Sequence, residues 1–160
     1  MNKKNKKEIV VILHDIRSSY NVGSVFRTAE AAGVAKIFLT GITPLPVDRF
    51  GRAQKEIAKT ALGAEGIVSW EHAPHINKVI AELKKSHFCV IAVEQAKNAR
   101  EYTKIKCKQK TAFIFGNETK GLTSAVLRKS DMVIEIPMRG EKESLNVSVA
   151  AGIVLYHFVN

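Results

Sequence analysis

Short apolar runs alternate with longer amphipathic stretches along the chain. Ile9-Val-Val-Ile-Leu13 has no polar interruption and is rich in β-branched residues, the pattern of a strand buried on both faces. Phe88–Val93 and Thr111–Phe115 read the same way, Lys36–Thr40 and Met132–Ile136 also read as strands, and Val68–Glu71 reads as a shorter strand. Between them the pattern predicts helices over 22–33, about 53–62, 75–86, 123–129 and 146–159. In the first of these Val22, Val25, Phe26, Ala29 and Gly33 share an apolar face, and Arg27 falls roughly opposite it. Residues 94–110 are polar and irregular, with a lysine run at Lys104, Lys106, Lys108 and Lys110. Strands and helices alternating at this spacing predict an α/β fold with a mainly parallel sheet flanked by helices.

The last unit departs from the ordinary pattern. Its strand stops at Pro137, a polar loop follows, and the helix from Asn146 to Val159 is apolar almost all the way round. At about 100° per residue, Val149, Ala150 and Ile153 fall on one side, and Ala151, Leu155 and Phe158 on the other. One side can cover the sheet; the other calls for a second protein surface, and Ala150, Ala151 and Gly152 leave room for close approach. Ser144 is a candidate N-cap for this helix, and Asn21 for the first.

Composition narrows the class. With 160 residues, 46 % of them hydrophobic, the chain suits one globular domain with a real core. Lys and Arg number 25 against 15 Asp and Glu, a formal charge of +10 that favours polyanionic partners, nucleic acid first. Residues 1–7 form a basic tail expected to be mobile, leaving 8–160 as the domain. The apolar run after the tail is too short for a signal peptide core or a membrane span. Two cysteines do not make a disulfide framework, Cys89 reads as a core residue of its strand, and no His/Cys spacing suggests a metal. A cytoplasmic, reducing setting is expected.

In open α/β sheets functional loops lie beyond the C-terminal ends of the strands. Loops 14–21, 94–97, 116–121 and 138–145 qualify. Gly116 and Gly121 have P-loop spacing, but Leu122 stands where the lysine belongs, and no G-x-G occurs for a dinucleotide. Ser144 lacks a nearby histidine and a G-x-S-x-G frame, so hydrolase chemistry is weakly supported. The residues alone lead to a basic α/β domain whose loops carry Asn, Arg, Glu and Ser.

Three ordered motifs go further. Asn21-x5-Arg27-x5-Gly33, Phe115-Gly-Asn-Glu118-x2-Gly121-Leu122 and Ile136-Pro-Met-x-Gly140-x3-Ser144-Leu-Asn-Val-Ser-Val-Ala150 resemble those of SpoU/TrmH-type RNA ribose 2′-O-methyltransferases, over essentially the whole chain from Ile9. The resemblance is to a minimal catalytic domain without an appended RNA-binding domain. It implies a SPOUT fold with a C-terminal trefoil knot, S-adenosylmethionine (AdoMet) as methyl donor, and a homodimer with active sites near the subunit interface. By matching position it implies Arg27 as the catalytic arginine, with Asn21, Glu118, Ser144 and Asn146 completing the site. Gly116, Ile136, Leu145, Asn117 and Met138 are implied as cofactor contacts, with Val93 and Glu94 closing the adenosine pocket.

The reaction so implied is attack of a ribose 2′-oxygen on a sulfonium methyl, in which the protein aligns reactants and manages one proton. A guanidinium hardly deprotonates, so Arg27 is expected to hold the adjacent phosphate and orient the hydroxyl. Arg17, Arg49, Arg52, Lys120, Arg139 and Lys142 flank the same loops; singly each is an ordinary solvated charge, and together they suit RNA phosphates. Transfer to tRNA or rRNA is the leading expectation. A non-catalytic RNA-binding or assembly protein of the same fold, and a base-methylating SPOUT enzyme, stand as alternatives.

Overall fold

The computed structural model describes residues 6–159. In chain order its strands and α-helices are β1 (Glu8–His14), α1 (Ser19–Ala32), β2 (Lys36–Thr40), α2 (Lys55–Ala61), β3 (Trp70–Ala73), α3 (Ile76–Lys85), β4 (Cys89–Val93), β5 (Arg100–Glu101), β6 (Lys110–Phe115), α4 (Ser124–Lys129), β7 (Met132–Glu135) and α5 (Val147–Phe158). The strands form one seven-stranded sheet in the order β3-β2-β1-β6-β4-β7-β5. Every pairing in it is parallel. Of the basic tail expected over 1–7, residues 1–5 lie outside the described residues; Lys7 Nζ donates to the carbonyl of Phe158.

The uninterrupted apolar runs are explained by burial on both faces. In β1, Ile9, Val11 and Leu13 pack toward α1 and α5, while Val10 and Ile12 pack toward α3. Val11, Ile12 and Leu13 are fully buried, each contributing about 1.5–3 kcal/mol relative to exposure. Cys89 is a buried residue of β4, as its apolar neighbours required.

Local chemistry shifts several boundaries. The N-cap of α1 is Ser18, whose hydroxyl accepts from the Asn21 amide N–H, so Asn21 lies inside the first turn and not at the cap. The helix ends at Gly33, whose φ of 73° is the left-handed geometry that glycine supplies most readily. The short strand β3 begins at Trp70, later than Val68, because the amide of Val68 donates to the Ala64 carbonyl, four residues back, and is held in the turn before the strand. The stretch expected to be irregular contains β5. For α5 the cap is Asn146, not Ser144: its side chain accepts from the Ser148 amide N–H.

The two sides of α5 differ as its sequence implied. Ala151, Val154, Leu155 and Phe158 are buried against the sheet, while Val149 and Tyr156 are each 49 % exposed. Helix α1 crosses α5 at Gly152, where a Cβ would lie 3.8 Å from the Thr28 methyl, ordinary van der Waals contact.

The order of the strands has a consequence for the chain path. β7 enters between β4 and β5, two strands formed earlier in the sequence and joined by residues 94–99. The chain leaving β7 must pass that connection, and Gln95 Nε2 donates to the Ile136 carbonyl there at 2.7 Å. Connections of this kind are rare in proteins.

Candidate active site

Four adjacent strands, β1, β6, β4 and β7, deliver their C-terminal ends to one rim of the sheet. The loops leaving them are bound to one another through side chains. Asn117 Nδ2 donates to the Asp15 carbonyl at 2.9 Å, and Asn117 Oδ1 accepts from the amides of Thr119 and Lys120, folding the loop after β6. Gly121 closes that loop with a φ of 63°, its N–H on the Asn117 carbonyl. Glu94 accepts from the Leu122 amide at 2.8 Å, fixing the same loop to the end of β4.

Glu118 is the junction. Its carboxylate accepts from the backbone N–H of Arg17 at 2.9 Å, from that of Ser18 at 3.0 Å and from Asn21 Nδ2 at 3.1 Å. Burial works to raise its pKa, but the bonds from Arg17, Ser18 and Asn21 outweigh it and hold the group below the ordinary 4.5. Asn21 Oδ1 in turn accepts from Asn146 Nδ2 at 3.1 Å, and Asn146 Oδ1 accepts from the Ser148 hydroxyl at 2.6 Å. One polar chain thus runs from the loop after β6, through the first turn of α1, to the cap of α5.

Beside it lies a cleft of about 140 Å³. Val93, Phe115, Ile136, Leu145 and Ala150 give it apolar walls; Glu94, Asn117, Glu118, Glu135 and Ser144 add polar groups; Gly116 and Gly121 present bare backbone. A Cβ at Gly116 would come 2.6 Å from Leu122 Cδ2, so a side chain there would collide with that residue.

The structure brings together most of the residues expected at the site. Val93, Glu94, Gly116, Asn117, Glu118, Ile136, Ser144 and Leu145 line the cleft, and Asn21 and Asn146 join the polar chain at its edge. Met138 and Arg27 are not in the lining; Arg27 is exposed on α1, six residues beyond Asn21 and on another side of the helix. Of the expected RNA contacts, Arg17, Arg49, Arg52, Lys120, Arg139 and Lys142 are all exposed. Gln95, Phe115, Thr119, Gly121, Glu135, Val147 and Ala150 line the cleft without having been picked out for it. Gln95 sits in a loop that strand polarity already marked; Glu135 carries no local signal, since only its place beside β4 and β5 brings it there. Among the described residues no cluster of His, Cys, Asp and Glu could hold a metal ion, and no helix is long and apolar enough to cross a membrane.

A parallel sheet flanked by helices, with its last strand inserted between two earlier ones, defines the SPOUT class, whose members carry a C-terminal trefoil knot. Residues 8–156 match the SpoU rRNA Methylase family, and the chain belongs to it. It is 33 % identical over 154 residues to a Staphylococcus epidermidis protein described as a TrmH family tRNA/rRNA methyltransferase, covering 96 % of this chain and 59 % of that protein. An AdoMet-bound rRNA methyltransferase from Sinorhizobium meliloti superposes with a TM-score of 0.81 at 27 % identity, over 94 % of this chain and 55 % of that one. A TrmH/SpoU tRNA modifying enzyme from A. aeolicus gives a TM-score of 0.81 at 25 % identity, over 94 % of this chain and 73 % of that one. The chain thus spans somewhat more than half the length of the curated relatives it matches.

Proposed function

We propose that this chain is an AdoMet-dependent RNA methyltransferase that transfers a methyl group to a ribose 2′-hydroxyl of tRNA or rRNA, residues 8–160 acting as its catalytic domain. The observation that carries the reading is the continuous chain Glu118–Asn21–Asn146, which joins residues of all three motifs at the mouth of one cleft.

The cleft fits the cofactor. Its apolar walls suit an adenine ring, the backbone edges at Gly116 and Gly121 suit recognition by main-chain groups, and the Glu118 and Glu135 carboxylates suit a cationic sulfonium. Bound AdoMet supplies a methyl group on an activated leaving group. Glu118, held ionised by its donors, fixes Asn21, and Asn21 and Asn146 hold each other's amides in one orientation toward the substrate. Ser144 offers a hydroxyl at the same mouth. Arg27 holds the phosphate next to the target ribose and orients its hydroxyl, the proton leaving to a phosphate oxygen or to water.

Arg27 lies outside its own chain's cleft, so this reading pairs two copies and brings the arginine of one to the cleft of the other. The exposed side of α5, with Val149 and Tyr156, supplies an apolar surface for that pairing. Exposed Arg17, Lys120, Arg139 and Lys142 border the cleft loops and serve as phosphate contacts. The test is nucleoside analysis of RNA methylated by the chain. A 2′-O-methylnucleoside supports ribose transfer; a base-methylated nucleoside contradicts it.

A further inference from the structure

The segment Asp48-Arg49-Phe50-Gly51 has the residues of a type I turn, Asp at the first position and Gly at the fourth. The structure builds a rigid one. The Gly51 amide N–H donates to the Asp48 carbonyl at 3.0 Å, and the Asp48 amide to the Arg52 carbonyl at 2.9 Å. Asp48 Oδ1 accepts from the amides of Phe50 and Arg52, Oδ2 accepts from Arg52 Nε at 2.8 Å, and a bridge between Val47 and Ala53 closes the base. So many bonds within a few residues hold Arg49 and Phe50 out at the tip.

What they hold out is unusual for a surface. Phe50 is 66 % exposed, with the Arg49 guanidinium carbon 4.7 Å and that of Arg52 5.0 Å from its ring centroid. An aromatic residue brought to solvent between two arginines gains nothing for the core. It forms a flat, cationic surface, the chemistry that stacks a nucleobase and pairs its phosphate. A protein partner covering this ring would have to desolvate two guanidiniums, of which Arg52 is paired with Asp48, whereas RNA brings phosphates. The turn also leaves from the same edge of the sheet as the cleft loops. It follows β2, whose outgoing loop is tied to the loop after β1 by Ile42 N–H on Asp15 Oδ1 and by Ile16 N–H on Thr43 Oγ1. Asp15 in turn takes the bond from Asn117 in the loop that carries Glu118.

We propose that the Arg49–Phe50–Arg52 tip is a stacking site for an unpaired base of the RNA substrate, one that selects single-stranded nucleotides near the target ribose. The inference rests on the RNA methyltransferase reading, which it deepens by naming the structural class of substrate: a loop or bulge with a base free to leave the stack.

The probe is a short single-stranded RNA carrying the fluorescent base 2-aminopurine, titrated into the wild-type chain, Phe50→Leu, Phe50→Trp and Arg49→Gln. Phe50 is exposed, so Phe50→Leu leaves the melting temperature unchanged. The expected result is quenching on binding by wild type and Phe50→Trp. Phe50→Leu loses the quench and binds roughly 5- to 150-fold more weakly, with the salt dependence unaltered. Arg49→Gln lowers the slope of log affinity against log salt by about 0.7. Equal affinity and quenching in wild type and Phe50→Leu would overturn the stacking site while leaving the methyltransferase reading intact. Loss of self-association in Phe50→Leu with RNA affinity unchanged would place the ring in a subunit contact and overturn it equally. Failure of the wild-type chain to bind any RNA would overturn both.

Discussion

Asn146 Nδ2 donates to Asn21 Oδ1 at 3.1 Å, joining the starts of two helices that are 125 residues apart in sequence. The contact couples the cap of α5 to the first turn of α1 and leaves Asn21 Nδ2 free to donate to Glu118. Each amide is oriented by both of its ends, which is why neither can be altered alone. Asn21→Ala removes a donor from a carboxylate and an acceptor from Asn146. A hydrogen bond to a charged group contributes about 1.5–3 kcal/mol, so methyl transfer should fall roughly 10- to 150-fold. Asn146→Ala should lose a similar factor plus the helix cap, about 1 kcal/mol of stability. Initial-rate assays beside thermal melts check this; an Asn21→Ala variant with wild-type turnover would contradict it.

Glu118 makes the polar chain sensitive to acid. Its folded pKa is lower than the unfolded one, so its stabilisation is complete above the ordinary carboxylate value of 4.5 and is lost as pH falls through the lower folded value. Glu118→Gln lacks this term. The stability difference between wild type and Glu118→Gln should be largest near neutrality and shrink on acidification through that window. Denaturant melts at a series of pH values measure it, and a difference independent of pH would mean that the carboxylate is not what those donors stabilise.

Gly121 joins the fold to the cleft. Its φ of 63° is unfavourable for other residues, and an added Cβ would collide with the Glu94 carboxylate, which holds the Leu122 amide. Gly121→Ala should cost about 1–3 kcal/mol of stability from backbone strain alone and displace Glu94 from the cleft wall. Calorimetric titration with AdoMet should then show weakened binding in the variant. Unchanged affinity would place the cofactor elsewhere.

The exposed side of α5 is tested by charge. Val149→Asp puts a carboxylate on a residue 49 % exposed in the single chain, so the isolated fold should tolerate it within about 0.5 kcal/mol. In a homodimer that buries this side it should dissociate the copies, and activity should fall with them. Sedimentation at several concentrations reads the result. A Val149→Asp chain that remains dimeric and active would remove α5 from the interface.

How far the sequence reaches can be seen in particular residues. The alternation of buried strand and helix was legible because β1 and β6 are covered on both faces and carry polar residues only toward their ends, Glu8 and His14 in β1 and Lys110 and Thr111 in β6. The two-sided nature of α5 was legible for the same reason: Ala151 and Leu155 face the sheet, Val149 faces out. The choice between Ser144 and Asn146 as cap was not. Both residue types cap well, and Asn146 prevails because the Ser148 N–H and hydroxyl and the distant Asn21 converge on it. Nor was the insertion of β7 between β4 and β5 readable, since an apolar run declares that a strand is buried and not which neighbours bury it. Glu135 entered the cleft unannounced through that same insertion. The motifs named Arg27, but its separation from the cleft of its own chain is a property of the fold.

The central claim is tested most directly by methyl transfer from labelled AdoMet to unmodified total tRNA and, separately, to rRNA, with Arg27→Ala run alongside. Label recovered as a 2′-O-methylnucleoside from one pool, and lost in Arg27→Ala while AdoMet still binds, is the predicted result. A wild-type chain that binds no AdoMet and labels neither pool would contradict the account.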